Sequence, residues 1–342
     1  MLKLGIIGAG RIGKVHGESV MRFVKGATVK AIADPFMNDA TRAWAKELGI
    51  AECYEDYKKI LSDPEIGAVL ICSSTDTHSP ISLEAIAAGK HVFCEKPIDH
   101  DVEKIKAVVE ALKGSKLKYQ VGFNRRFDHN FRAAREAVKA GKIGDLNTLS
   151  ITSRDPAAPP VDYIKVSGGI FLDMTIHDFD MVRFISGDEV EEVYASGAVL
   201  VDPAIAKAGD IDTAIVNLKL SGGAIAVINN CRRAAYGYDQ RLEAFGALGQ
   251  VEVMNDTDST AVLSNADGVT KEKPKYFFLE RYMAAYTAEI EAFVRAVEND
   301  TDVEVGVDDG LQPVLIGLAA TRSVKENRPV KIAEIKAEYG LK

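Results

Sequence analysis

Two rhythms of apolar and polar residues divide this chain. Over roughly the first third, continuous apolar runs at 1–7, 29–34, 68–72, 91–94 and 119–123 alternate with stretches of helical period at 37–48, 79–88 and 101–113, the 79–88 stretch closed by Gly89. Apolar runs without alternation, separated by helices, predict a parallel sheet covered on both faces. From about residue 127 the rhythm changes. A helix at 127–140 and a strand at 148–152 lead into the irregular Pro-rich stretch 155–160, which reads as a loop entering a cleft, and a helix follows at 170–185. Runs at 213–220, 224–230, 241–245 and 251–254 are then spaced as hairpins, with Ser221-Gly222-Gly223 as a turn. Helical patterns at 279–298 and 309–325 close the chain.

The predicted fold is α/β. An N-terminal doubly wound parallel sheet is expected over residues 1–125, followed by an α+β domain with a large, mostly antiparallel open sheet over 126–342. The final helices are free to pack back on the first domain. Residues 224–228 are apolar on both faces of their strand, which suits a sheet covered on both sides, by another subunit or by a helix layer.

The first strand runs directly into Gly8-x-Gly10-x-x-Gly13. In a dinucleotide site the first glycine makes the tight turn, the second lets the backbone approach a pyrophosphate, and the third lets the helix pack on the strand. Asp34, at the end of the second strand, stands where a carboxylate accepts hydrogen bonds from ribose hydroxyls and repels a 2′-phosphate. NAD is therefore expected over NADP, although Arg11 and Arg42 could offset the repulsion.

At 342 residues the chain has room for two cores, and 47% hydrophobic and 27% charged residues are those of an ordered globular protein. A net charge of −8 argues against a nucleic-acid partner. No run is long enough to span a bilayer, and the opening apolar stretch lacks a signal-peptide cleavage region, so a cytoplasmic protein is expected. Cys53, Cys72, Cys94 and Cys231 are irregularly spaced and read as reduced thiols, with Cys72 and Cys94 packed in strands.

Lys96, in Glu95-Lys96-Pro97, follows an apolar strand at the edge where parallel sheets bind ligands. Asp173 and His177 are four apart in a helical stretch, on one face, preceded by Gly168-Gly169. Such a pair serves as an acid-base unit, as a structural ion pair or, third, as part of a metal site. No metal is expected, because the remaining histidines His16, His78, His91, His100 and His129 are scattered singly. Imidazole suits the removal of a hydroxyl proton near neutral pH, and an ammonium suits the developing alkoxide.

The motifs Gly8 to Gly13, Glu95-Lys96-Pro97 and Asp173-x-x-x-His177, in this order, resemble the glucose-fructose oxidoreductase and inositol dehydrogenase (Gfo/Idh/MocA) family over essentially the whole chain. Segments 168–180, 232–241 and 276–282 look specifically like the inositol 2-dehydrogenases within it. The resemblance implies NAD-dependent oxidation of myo-inositol to scyllo-inosose, with His177 as base, Asp173 tuning its partners and Lys96 binding the reacting oxygen. It implies cofactor contacts at Gly8, Gly10, Arg11, Ile12, Gly13, Asp34, Ser73, Ser74, Thr75, His78, Glu95 and Lys96. Substrate contacts are implied at Asn124, Arg126, Asp155 and Tyr236 beside the three catalytic positions, and a homotetramer in inositol catabolism as the assembly. Lys96 is expected to face Asp173 and His177 across a cleft. Three rivals remain: a dehydrogenase of another inositol isomer or a pyranose, a non-catalytic dinucleotide-binding regulator and, remotely, a glycosidase using NAD as a transient oxidant.

Overall fold

The computed structural model describes residues 1–341. They divide into two compact units: Met1–Phe127 with Ala284–Val314, and Asp128–Met283 with the chain from Leu315 onward. Of the closing helices, the segment 284–314 thus belongs to the first unit.

The first unit is a six-stranded parallel sheet. Its strands are β1 (Leu2–Ile7), β2 (Ala27–Ala33), β3 (Glu52–Tyr54), β4 (Ala68–Ile71), β5 (His91–Glu95) and β6 (Tyr119–Gly122), in the order β3-β2-β1-β4-β5-β6. The connecting helices are α1 (Arg11–Arg22), α2 (Asp39–Glu47), α3 (Lys58–Leu61), α4 (Thr75–Ala87) and α5 (Val102–Leu112). Every residue of β4 and β6 is buried, as the unbroken apolar runs require of strands covered on both faces. Ile290, Phe293 and Val294 of the helix Met283–Asn299 share one apolar core with Leu4, Ile6, Leu70 and Phe93 of the sheet.

The second unit is a seven-stranded sheet. It contains β7 (Leu146–Arg154), β8 (Val190–Ala198), β9 (Thr213–Leu220), β10 (Ile225–Cys231), β11 (Asp239–Gly246) and β12 (Gly249–Val253), ordered β12-β11-β7-β10-β9-β8 and closed by the short strand Val330–Lys331. Its neighbours pair antiparallel except β7 with β10. Strand β9 alternates buried and exposed positions strictly, so one face carries the core and the other is open in the single chain. Ile215, Ile225 and Phe245 lie exposed on that open face. Helix α6 (His129–Lys139) and the short α7 (Val161–Ile164) precede two consecutive helices, α8 (Gly169–Asp173) and α9 (Thr175–Ser186). Helix α9 packs on β7 and β10, is buried on nearly all sides, and stops at Gly187 in the left-handed conformation.

Two sequence expectations need correction. The stretch 170–185 is not one helix, because the chain breaks at Met174, so Asp173 ends α8 while His177 lies in the first turn of α9. Helix α4 begins at Thr75 rather than near 79 and carries Pro80 inside it. That ring removes one helical hydrogen bond, which hid the helix start in the sequence.

The glycine turn shows why its residues have no side chains. Gly8 has φ +102°, and a Cβ there would sit 2.6 Å from the Cys72 backbone. A Cβ on Gly13 would lie 1.9 Å from the Gly8 carbonyl oxygen, whereas one on Gly10 would meet nothing within 4 Å. Gly13→Ala must therefore push α1 away from β1. It is expected to lower unfolding free energy by about 1–3 kcal/mol, seen as a lower urea midpoint, while an unchanged midpoint would contradict the close approach.

Candidate active site

In the first unit the candidate residues gather at the carboxyl ends of the strands. Asp34 follows β2, with Oδ2 accepting from Ala9 N–H at 2.7 Å and Oδ1 from Phe36 N–H at 2.8 Å. This carboxylate is therefore tied to the glycine turn itself, and each oxygen keeps a lone pair for a hydroxyl. Arg42 directs Nη1 to the Cys53 carbonyl, 3.1 Å away. Gly10 is the N-cap of α1, exposed and with open space on its Cα, while Arg11 is exposed and Ile12 half-buried at the helix start. This backbone suits a pyrophosphate at a helix N-terminus.

After β4, Ser74 is the N-cap of α4 and Thr75 its first residue. Ser73 Oγ pairs with Thr77 Oγ1 at 2.6 Å. His78 is buried, with Nδ1 2.8 Å from the Pro97 carbonyl and Nε2 3.0 Å from that of Ser73. Two carbonyl acceptors call for two N–H donors, that is, an imidazolium. Burial opposes the charge, but the Cys94 sulfur and the two carbonyls outweigh it and raise the His78 pKa to about 9. The ring thus ties the loop after β4 to the loop after β5.

Glu95 ends β5 and is buried, and Lys96 is half-buried before a cis bond to Pro97. Past β6, Asn124 and Arg126 lie in a short 3₁₀ turn, both buried. Arg126 Nη2 donates to Asp309 Oδ1 at 2.9 Å, so it is no loose surface arginine. The Asn124 side-chain Nδ2 is buried with no partner, an orphaned donor of the kind a ligand hydroxyl satisfies.

In the second unit, Asp173 Oδ1 accepts from the Tyr163 hydroxyl at 2.7 Å and Oδ2 from Arg232 Nη2 at 3.0 Å. Arg232 is 1% exposed, and its guanidinium also stands 3.8 Å from Asp155 and from Asp210. Sequence reasoning missed both Arg232 and Tyr163 as partners of Asp173. Asp155, Asp173 and Asp210 are widely spaced in the sequence, and only the fold brings them to one guanidinium. The structure thus joins Asp155 and Asp173 through Arg232. Gly169 explains the double glycine: its φ is +80°, and a Cβ there would sit 2.9 Å from Asp210 Oδ1, which accepts from the Ile170 N–H.

His177 is half-buried on α9. A buried polar network fixes that helix. Thr175 Oγ1 donates to Asn230 Oδ1 at 2.7 Å, and Asn230 Nδ2 donates to Asp178 Oδ2 and to the Ser153 carbonyl at 2.8 and 3.1 Å. Tyr236, by contrast, is partly exposed in a separate network, donating to Asp239 at 2.5 Å and accepting from Arg154 at 3.1 Å. All four cysteines are free, with Cys72 and Cys94 buried.

Residues 2–123 match the model of an oxidoreductase family with an NAD-binding Rossmann fold, and residues 131–252 match the GFO/IDH/MocA C-terminal domain. The chain belongs to the Gfo/Idh/MocA oxidoreductase family. It is 47% identical to the myo-inositol 2-dehydrogenase of Thermotoga maritima, covering 98% of this chain and 99% of that one. It is 46% identical to the inositol 2-dehydrogenase of Rhizobium meliloti over 97% of this chain and 99% of the relative. Among solved structures, scyllo-inositol dehydrogenase from Lactobacillus casei with bound NAD(H) and scyllo-inositol superposes with a TM-score of 0.90 at 34% identity, covering 97% of this chain and 99% of that one. This Gfo/Idh/MocA protein is an NAD-dependent dehydrogenase, and its glycine turn and Asp34 fit that cofactor. No helix among the described residues is long and apolar enough to cross a membrane.

Arg232 is the buried counter-charge of three half-buried carboxylates. Arg232→Met is expected to lower unfolding free energy by about 3–5 kcal/mol. Tyr163→Phe, which deletes one hydroxyl from an exposed ring, should stay within about 1.5 kcal/mol of the parent. Equal losses in urea denaturation would deny Arg232 its central place.

Proposed function

We propose that this enzyme oxidises myo-inositol at its axial hydroxyl to scyllo-inosose, with NAD as oxidant. The observation that carries this reading is the likeness to inositol 2-dehydrogenases along nearly the whole chain, in a sequence that has Lys96, Asp173 and His177 together. A regulator that only bound the dinucleotide would have no need of that proton-transfer set.

In this reading His177 takes the hydroxyl proton, which neutral imidazole does near pH 7. Lys96 binds the same oxygen and stabilises it as alkoxide character develops. Hydride acceptance is the chemistry that bound NAD supplies. Asp173, held by Tyr163 and Arg232, keeps a fixed negative charge on the chain next to α9 and favours the imidazolium that forms. Gly8, Gly10, Arg11, Ile12, Gly13, Asp34, Ser73, Ser74, Thr75 and Glu95 hold the cofactor, with His78 bracing the loop between them. Asn124 offers its unpartnered amide to a substrate hydroxyl, and Arg126, Asp155 and Tyr236 complete the polar lining. The enzyme is read as a cytoplasmic homotetramer of inositol catabolism, the open sheet face with Ile215, Ile225 and Phe245 being the surface that assembly would cover.

A second reading, scyllo-inositol as the substrate, draws support from the Lactobacillus casei relative that binds it. The two differ in the configuration of one hydroxyl, so a panel of inositol isomers and pyranoses assayed with NAD separates them. The highest kcat/KM is expected for myo-inositol.

His177→Ala is expected to reduce turnover roughly 10²–10⁴-fold with NAD affinity retained. Wild-type oxidation should fall on the acid side as the imidazole protonates. Near-normal turnover in the variant would remove His177 as the base. Wild type should prefer NAD over NADP in kcat/KM, and Asp34→Ser should narrow that preference by relieving repulsion of the 2′-phosphate. A wild-type preference for NADP would overturn the role given to Asp34.

A further inference from the structure

Beneath the nucleotide loop, within the first unit, lies a polar cluster of which only Glu95 has a role above, as a cofactor contact. His16 on α1, Glu95 at the end of β5 and Glu289 on the helix Met283–Asn299 bring their side-chain ligand atoms within 4.8 Å of one another. His16 and Glu289 are fully buried, and the Glu95 side chain is 10% exposed. His16 Nε2 is 2.6 Å from Glu95 Oε1, a hydrogen bond, and 4.0 Å from Glu289 Oε1. Both Glu289 oxygens and His16 Nδ1 are buried without a hydrogen-bond partner.

Apolar groups close the surroundings. Phe93 and Tyr286 meet the His16 ring edge-on at 5.1 and 5.7 Å between centroids, and Phe293 packs on Phe93. Gly122, paired with Glu95 across β5 and β6, leaves room for the carboxyl, since a Cβ there would come within 3.1 Å of it. In such a place two ionised carboxylates beside a single imidazole would leave at least one net negative charge out of water. Burying an uncompensated charge costs several kcal/mol. Either a bound cation or an extra proton must balance it.

The geometry favours the proton. Two tetrahedral ligands at about 2.0 Å from a zinc-like ion lie about 3.3 Å apart, farther than the 2.6 Å between His16 Nε2 and Glu95 Oε1. That separation instead suits an N–H donated to a carboxylate. Burial, and the negative charge of Glu95 beside it, push the Glu289 carboxyl well above its ordinary range.

We propose that His16, Glu95 and Glu289 form a buried, charge-balanced clamp, in which His16 donates to the Glu95 carboxylate and Glu289 is a neutral acid. Its work is to fix the end of β5 and so the backbone entering Lys96. His16 and Glu289 are thereby positioning residues for the reaction. This role rests on Lys96 binding the reacting oxygen, as proposed above, whereas the protonation of Glu289 does not.

The test compares Glu289→Gln, Glu289→Leu and His16→Leu with wild type in the full-length enzyme. The amide of Glu289→Gln mimics a neutral acid and should keep turnover near wild type. The two leucine variants should lose roughly 10- to 100-fold in kcat through misplacement of Lys96, with NAD affinity changed far less. The infrared difference spectrum of wild type minus Glu289→Gln should show the carbonyl stretch of a protonated carboxyl, at higher frequency than carboxylate bands. Elemental analysis should find no stoichiometric divalent metal. The clamp is overturned if that band is absent or if Glu289→Gln falls as far as Glu289→Leu. It is equally overturned if the leucine variants turn over normally, or if a metal copurifies whose removal by a chelator abolishes activity. Should a leucine variant fail to fold, the infrared band and the Glu289→Gln comparison still decide. Inactivity of wild type on every inositol would sink the proposed function instead, with the band still reporting on Glu289.

Discussion

A parallel sheet covered on both faces leaves its strands little room for polar side chains away from their ends, and the first unit of this protein is shaped by that constraint. β4 and β6 are wholly buried, and the core runs from Leu4 through Leu70 and Phe93 to Phe293 of the returning helix. The candidate groups gather at the carboxyl edge. Gly8 follows β1, Asp34 follows β2, Ser73 follows β4, Lys96 follows β5 and Asn124 follows β6. One edge thus collects anion-binding backbone, a carboxylate, an ammonium and an amide, although these residues span more than a hundred positions of sequence.

The second unit solves a different problem. Its sheet has one buried face, and the helix bearing His177 lies on that face as a segment buried nearly all round. Apolar packing alone would leave such a helix free to slide. Asn230 prevents this by joining Thr175 and Asp178 on the helix to the Ser153 carbonyl of the sheet. Buried polar networks with every member satisfied favour one arrangement over its neighbours, because any shift leaves donors unpaired. Arg232 does the same for the carboxylates, drawing Asp155, Asp173 and Asp210 to a single guanidinium.

Both units brace their loops and helix ends through buried charge. His78 bridges two loops by donating to two carbonyls, and Arg281 pairs with Asp128 while packing over Tyr282. Each arrangement is expensive to disturb, since loss of one partner strands the other away from water.

The sequence by itself determined the α/β plan of the first unit, the glycine turn with its acid, and the hairpin order of the second. Those features depend on local steric and periodic rules, which a linear pattern carries. Lys96, Asp173 and His177 stood out as candidates by residue type and place, and Asp34 by its distance from the glycines. The break at Met174 and the early start of α4 were not, because helical residues on both sides of Met174 share one period and Pro80 disguises the turn before it. Only the tertiary structure decided that Arg232 and Tyr163 hold Asp173, that Asn230 anchors the helix of His177, and that Glu289 returns from far along the chain to meet His16 and Glu95. Those contacts join residues from ten to more than two hundred positions apart, and their energy arises from charges and dipoles brought together away from water, which no local pattern encodes.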